Sequence, residues 1–444
     1  MKPMYRSHKL LILIVLMFLN MGLAASEIAT VIKKSDDGVW RVVYSSKIPV
    51  KQIVFKRSPD NSRVNRWKPI AADFQILVEN GSEIVSRIDG GPFTQAEFTL
   101  TSTYISLPKE YAPFSPFSDG GMLLHSGRFF ACAESCDDSL NKWNIKVQAT
   151  KKDNIIVGGV IHNGEASWED SNSGIKVYIG EGEPIIDDNF VSLIDTGLPD
   201  QLKEMMSSYL PKILLYYSNK MGALNYRPSL FASYSHSDDG SYGQQGGILP
   251  GQIFMHWYGA RAIKEIDENS TLWFFAHEVA HLYQGKAGKV EVLSDAWLHE
   301  GGAEFFAGIT YQEILDDPKL FLDKLEKAQL NCLNILENEN NYRKAVLTNT
   351  KIHYSCGLLL FDVLNDELKA RKSNIFELWM AFNSAVENGG SVTSSTFIEV
   401  AKPFVSYELW LNLSQFIKNP EFNSKVFFQN LIDNKPKTKA GTVT

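Results

Sequence analysis

His277 and His281 stand four residues apart in HEVAHLYQG, and no other feature constrains the fold of this chain as tightly. On an α-helix, positions i and i+4 lie one turn apart on the same face, so both imidazoles can grip one cation. Glu278 projects beside them, where its carboxylate could accept a proton from a water held by that cation; this is the physical content of H-E-x-x-H. The surrounding run TLWFFAHEVAHLY is apolar on nearly all sides, which predicts a buried helix. Gly285 stands where a C-terminal cap belongs. A core helix with two hydrogen-bonded histidines would satisfy the same pattern, so a third donor is needed.

Glu300 is that donor, with 18 residues between it and His281. Its surroundings, SDAWLHEGGAEFFAG, also read as helical. A carboxylate presented by an adjacent antiparallel helix completes a His₂Glu zinc site with one position open. His299, next to Glu300, should point to another helix face. His125, His162, His236, His256 and His353 lack ligand spacing and read as structural; His353 is notable for adjoining Tyr354.

The 444 residues are enough for two or three domains. A net charge of −7 leaves no basic field to track phosphates, so a nucleic-acid partner is excluded. At the N-terminus, basic MKPMYRSHK precedes apolar LLILIVLMFL and small-residue GLAAS, the pattern of a secretory signal peptide over residues 1–25. The apolar run is short for a membrane span, and none is expected in the mature chain. The chain is therefore read as exported, to the periplasm or beyond the cell, where disulfides are permissible. Cys132 and Cys136 read as a local bridge. Cys332 and Cys356 read either as a second bridge or as two buried thiols.

Between residues 26 and 190, short runs such as VWRVVYSS, DFQILVEN and KWNIKVQATK alternate apolar and polar residues between Gly, Asn and Asp clusters. That predicts an antiparallel β domain. Near residue 197 the pattern changes: LPDQLKEMMSSYLPKILLYYSNKMG predicts a helix bent at Pro211. PSLFASYS predicts a strand, and GSYGQQGGILPGQIFMHWYG a Gly-rich loop feeding an edge strand. From about residue 271 the patterns are helical, up to a loose tail over 431–444.

Three motifs resemble the aminopeptidase-N-type gluzincins. HEVAHLYQG is similar to their HELAHQWFG signature, DAWLHEGGA to D-x-W-L-x-E-G-x-A, and YSCGLLLFDVL to the Y-x-K-G-A-x-x-L helix that carries a transition-state tyrosine. The resemblance spans roughly residues 190–420 and, in its compactness, is closer to the glycyl-aminopeptidase branch. It implies an α+β fold: an antiparallel β domain over 26–190, then a thermolysin-like, mostly helical zinc domain over 191–320. A C-terminal helical part over 321–430 would carry the tyrosine helix. It also implies Zn²⁺ on His277, His281 and Glu300, Glu278 as general base, and Tyr354 as the hydroxyl that stabilises the oxyanion. An outer carboxylate supporting a zinc-bound histidine often lies seven residues past the ligand glutamate in this family, which here is Ala307. Glu304, four past Glu300, instead resembles the thermolysin arrangement, and is expected to accept a hydrogen bond from His277.

One departure bears on the substrate. The family's G-x-M-E-N motif, whose glutamate holds a free amine, has no counterpart in GQQGGILPGQ. Gly246 and Gly247 could still let a substrate strand approach the backbone, and Gln244, Gln245 or Gln252 could contact an amine. The expected function is an exported zinc peptidase acting on peptide substrates, an aminopeptidase first. The alternatives are an endopeptidase or a peptidase for blocked or modified peptides, and a zinc-containing binding protein without turnover. The last would need neither Glu278 nor Tyr354.

Overall fold

A computed structural model describes residues 28–107, 110–136, 141–285, 290 and 292–434. The signal peptide expected over residues 1–25 lies outside the described residues, as do the residues from 435 onward. Contacts divide the chain into two compact units.

The first unit holds residues up to Ile186 together with Val191–Leu198 and Pro228–Lys264. Among the described residues its largest sheet runs, in spatial order, Glu165–Ser171, Lys142–Gln148, Ile28–Lys34, Trp40–Val50, Phe93–Leu100, Trp67–Pro69. The alternation read in the sequence is the inside–outside alternation of these strands: Trp143, Ile145 and Val147 are buried while Asn144 is exposed. Pairing is antiparallel except between Ile28–Lys34 and Lys142–Gln148, which run parallel with Thr30 opposite Ile145. The bridge Cys132–Cys136 starts from the short strand Ala131–Ala133.

A second sheet of this unit runs Ile185–Ile186, Val191–Ile194, Ser229–Ser235, Gln252–Tyr258, Gly243–Leu249. Two expectations are corrected here. The Gly-rich passage is not a loop: Gly243–Leu249 is itself the edge strand, and Gln252–Tyr258 is interior. The interior strand is buried along almost its whole length, because it pairs on both edges and is covered on its faces. The boundary expected near residue 190 also differs, since all five strands of this sheet group with the N-terminal unit. The reason is a shared core: Val191, Leu193, Phe231 and Phe254 pack with Phe117, Leu123 and Tyr178.

The second unit is helical: Asp187–Phe190, Pro199–Arg227 and Glu265 onward. Its helices are α1 (Asp200–Met221), α2 (Glu268–Gln284), α3 (Gly302–Leu315), α4 (Pro318–Asn338), α5 (Ile352–Ala370), α6 (Ile375–Glu387), α7 (Ser394–Ala401), α8 (Tyr407–Lys418) and α9 (Ser424–Asp433). Helix α9 carries its pattern through Asp433, past the residue where the loose tail was expected to begin. Helix α2 is capped at its start by Asp267, whose side chain accepts from the Ser270 amide, and ends at the expected Gly285, with φ +68°. Helix α1 braces it through two hydroxyls. Tyr217 donates to the Ala276 carbonyl at 3.3 Å, and Tyr283 to the Leu214 carbonyl at 3.0 Å. Trp297, Phe306, Phe361, Trp379 and Phe397 form an aromatic core around α3, α5, α6 and α7.

The bridge Cys332–Cys356 ties α4 to the first turn of α5, two residues beyond Tyr354. No helix among the described residues is long and apolar enough to cross a membrane.

Candidate metal centre

All the side chains of this site belong to the second unit. On α2, His277, Glu278 and His281 sit within little more than one turn, and His277 and Glu278 are buried. Glu300 comes from a π-helical turn, Trp297–Gly301, that leads directly into α3. Such a turn rotates a side chain away from where a regular helix would aim it, and π-turns recur at functional sites for that reason. A relay holds the turn: the Trp297 indole donates to Ser394 Oγ at 2.9 Å, and the Ser394 hydroxyl donates to Asp295 at 2.6 Å.

Three donor atoms converge. His277 Nε2 and His281 Nε2 are 3.1 Å apart, and Glu300 Oε2 lies 3.4 Å from the first and 3.6 Å from the second. Two ligands at about 2.0–2.1 Å from one tetrahedral zinc stand about 3.3 Å from each other. The set therefore fits Zn²⁺ in its atoms, its spacing and its open fourth side. Among the described residues it is the only group of three or more metal-binding side chains.

The electrostatics are those of a charged cluster buried with its partners. Burial alone would lower the pKa of His277, but Glu300 and Glu304 outweigh it and push it up to about 10. Burial opposes the Glu300 carboxylate, and the two imidazoles outweigh that and hold it well below the usual carboxylate range. Glu278 shifts the other way: burial outweighs the imidazoles and raises it, as suits a proton acceptor.

Glu304 stands beside His277: its Oε1 is 3.1 Å from His277 Nδ1, an ion-pair distance, and its Oε2 accepts from the Trp273 indole at 3.0 Å. The Trp273 contact was not read from the sequence; it holds the carboxylate against His277 rather than in solvent. Glu304→Ala is expected to weaken zinc by about 10- to 100-fold while the three ligands stay in place. Chelator competition measures this, and an unchanged affinity would refute the role.

Tyr354 opens α5, its ring stacked beside His277 with centroids 6.0 Å apart. Burial and the nearby Glu300 charge raise its pKa, so the hydroxyl keeps its proton. Two glycines bring it there. A Cβ on Gly301 would come within 2.3 Å of the Gly357 backbone, and one on Gly357 within 2.7 Å of Gly301. The Glu300 turn and α5 thus meet backbone to backbone, which only glycine permits. Tyr354 also borders a polar groove lined by Lys324, Lys327, Asn331, Asn334 and Lys351.

His299 turns its ring edge-on toward Trp379, and His353 Nδ1 lies 2.8 Å from the Tyr342 hydroxyl. The His256 ring sits between Ser233 and Ser235.

Gly246 and Gly247 belong to the first unit, on the edge strand Gly243–Leu249. At Gly247 the backbone itself calls for glycine, with φ +153°, and a Cβ there would also sit 2.8 Å from the Tyr111 hydroxyl. Two of the three glutamines considered for an amine are already engaged. Gln245 accepts from the Ala112 amide and donates to the Glu110 carbonyl. Gln252 does the same with both backbone groups of Lys176.

Neither protein-family models nor curated proteins match the chain. Solved structures do. The chain is similar to an aminopeptidase N family protein from Idiomarina loihiensis, with a TM-score of 0.60 and 13% identity over 91% of this chain and 78% of that one. It is similar to leukotriene A4 hydrolase from Saccharomyces cerevisiae, with a TM-score of 0.52 and 12% identity over 90% of this chain and 68% of that one. A third is an M1 zinc metallopeptidase from Deinococcus radiodurans, a glutamate-to-alanine mutant bound to a Tyr-Ser-Ala substrate. Its TM-score is 0.50 at 14% identity, covering 89% of this chain and 93% of that one. The fold implied by the three sequence motifs is the fold found: β sheets followed by a helical C-terminal region, in the architecture of the M1 zinc metallopeptidases.

Proposed function

We propose that the chain is an exported zinc-dependent peptidase, an aminopeptidase first, with Glu278 as its general base. One observation carries the reading: His277, His281 and Glu300 converge on a point that fits zinc, and the buried carboxylate of Glu278, on the same helix, is near enough to feel both imidazoles. Bound zinc supplies Lewis acidity, which makes water a nucleophile near neutral pH and polarises a carbonyl oxygen. Glu278 takes the proton that the attacking water loses and returns it to the leaving amine, so each turnover leaves the carboxylate as it began. Its raised pKa suits both transfers. Tyr354, protonated, donates a hydrogen bond to the oxygen on which negative charge develops. A protein that only bound zinc would need neither residue. Export is supported by the leader pattern over 1–25 and by the two disulfides, which persist in oxidising compartments.

A second reading, an endopeptidase or a peptidase for blocked peptides, is favoured by one observation. No carboxylate stands in the strand that resembles the amine-binding segment, and Gln245 and Gln252 are committed to the backbone. Matched peptides with free and acetylated N-termini separate the two. Aminopeptidase action predicts release of N-terminal residues from the free peptides and none from the acetylated ones. Equal cleavage of both moves the assignment to the second reading. No cleavage of either by the zinc-loaded chain removes the peptidase reading.

A further inference from the structure

Gln284 ends helix α2 and is fully buried, with 0% of its surface exposed. A buried primary amide is costly unless both its ends are partnered. Both are. Oε1 lies 2.6 Å from His281 Nδ1, and Nε2 donates to the His299 carbonyl at 3.0 Å. The first partner is the outer nitrogen of a metal-binding imidazole. The second belongs to the turn that carries Glu300. Gly302 leaves room for this, since a Cβ there would stand 3.0 Å from Nε2. The Gln284 backbone carbonyl is held as well, accepting from the Trp379 indole at 3.4 Å.

The chemistry of the partners orients the amide. A carbonyl oxygen only accepts, so the group facing His299 must be the NH₂, and the oxygen faces His281. An amide oxygen also only accepts, so His281 must carry its proton on Nδ1. Its Nε2 lone pair then points to where His277 Nε2 and Glu300 converge.

We propose that Gln284 is a positioning residue of the metal centre: it fixes the tautomer of His281 and ties α2 to the turn bearing Glu300. The two histidines are then supported differently, His277 by the carboxylate of Glu304 and His281 by a neutral amide. The amide sets the tautomer without adding a charge to a site that already holds several carboxylates. This inference rests on the zinc reading of His277, His281 and Glu300.

Two substitutions separate positioning from packing. Gln284→Met keeps length and bulk but offers no acceptor for the His281 N–H. Gln284→Glu keeps the acceptor and loses the donor to the His299 carbonyl. Zinc affinity is measured by chelator competition, and the His281 tautomer by ¹⁵N NMR of histidine-labelled metal-free protein. Thermal midpoints of the metal-free proteins check folding. Gln284→Met is expected to weaken zinc by about 10- to 100-fold, the usual effect of losing an outer partner, and to lose the uniform Nδ1–H form. Gln284→Glu is expected to recover most of the affinity and the tautomer. Unchanged zinc affinity in Gln284→Met overturns the proposal, as does an equal loss in both variants, which would mark a packing role. Should Gln284→Met fail to fold, the wild-type tautomer and Gln284→Glu decide: a wild-type His281 protonated on Nε2 refutes it. A wild-type chain that binds no zinc defeats the metal reading, while the NMR tautomer still tests the Gln284 contact by itself.

Discussion

Glu278→Gln is expected to lower kcat by about 10²- to 10⁴-fold, the usual worth of a positioned general base, with zinc content and thermal stability unchanged. Glutamine has nearly the same shape but cannot take a proton from water. The side chain does not belong to the converging donor set, so the metal should not respond. Tyr354→Phe should follow the same pattern through a different contact. The ring beside His277 stays and the donor to the developing oxyanion is lost, a loss of about 10²- to 10³-fold. Steady-state kinetics on a free N-terminal peptide, paired with zinc analysis, measure both. Turnover at the wild-type rate in both variants would show that this chemistry is not the chain's.

His281→Ala is expected to abolish tight zinc binding, where the wild type should hold about one zinc per chain. One of three donor atoms at 3.1–3.6 Å separations is removed, leaving His277 and Glu300 facing a gap too wide for either to close. The loss should exceed the 10- to 100-fold expected at Glu304, because a ligand and not its support has gone. The imidazole of His281 also gives Gln284 its partner at 2.6 Å, so the variant leaves a buried amide oxygen unpaired and the metal-free protein should lose stability too. Elemental analysis and chelator competition settle the metal. Full retention of zinc in the folded variant would defeat the assignment of the ligands.

Some of this was legible because it is local. His277, Glu278 and His281 share a helix whose period alone brings them together, and Gly285 ends that helix by a capping rule that acts within a few residues. The alternation in Lys142–Gln148 is set by the strand period in the same way. Glu304 could be reached by one further step, since a residue four past Glu300 follows the same helical arithmetic.

Other features depend on what packs against what. GSYGQQGGILPG reads as a loop by composition; it is an edge strand because the buried strand Gln252–Tyr258 offers it a row of backbone partners, and pairing outweighs the weak strand propensity of glycine. The assignment of Val191–Leu198 and Pro228–Lys264 to the N-terminal unit follows from apolar side chains meeting across sequence separations that no periodicity reports. Gln284 is the sharpest case. Before Gly285 it looks like a polar residue at a helix end, and nothing nearby in sequence says that its amide would be buried between His281 and the His299 carbonyl. By itself the sequence determined the helix that carries His277, Glu278 and His281 together, because spacing along one helix is fixed by backbone geometry. Only the tertiary structure placed the Gln284 amide against His281 and the His299 carbonyl, and only it decided how Glu300 and Tyr354 reach that helix. Their positions depend on the π-helical turn at Trp297–Gly301 and on the backbone contact of Gly301 with Gly357, which exist only once separate segments have packed together.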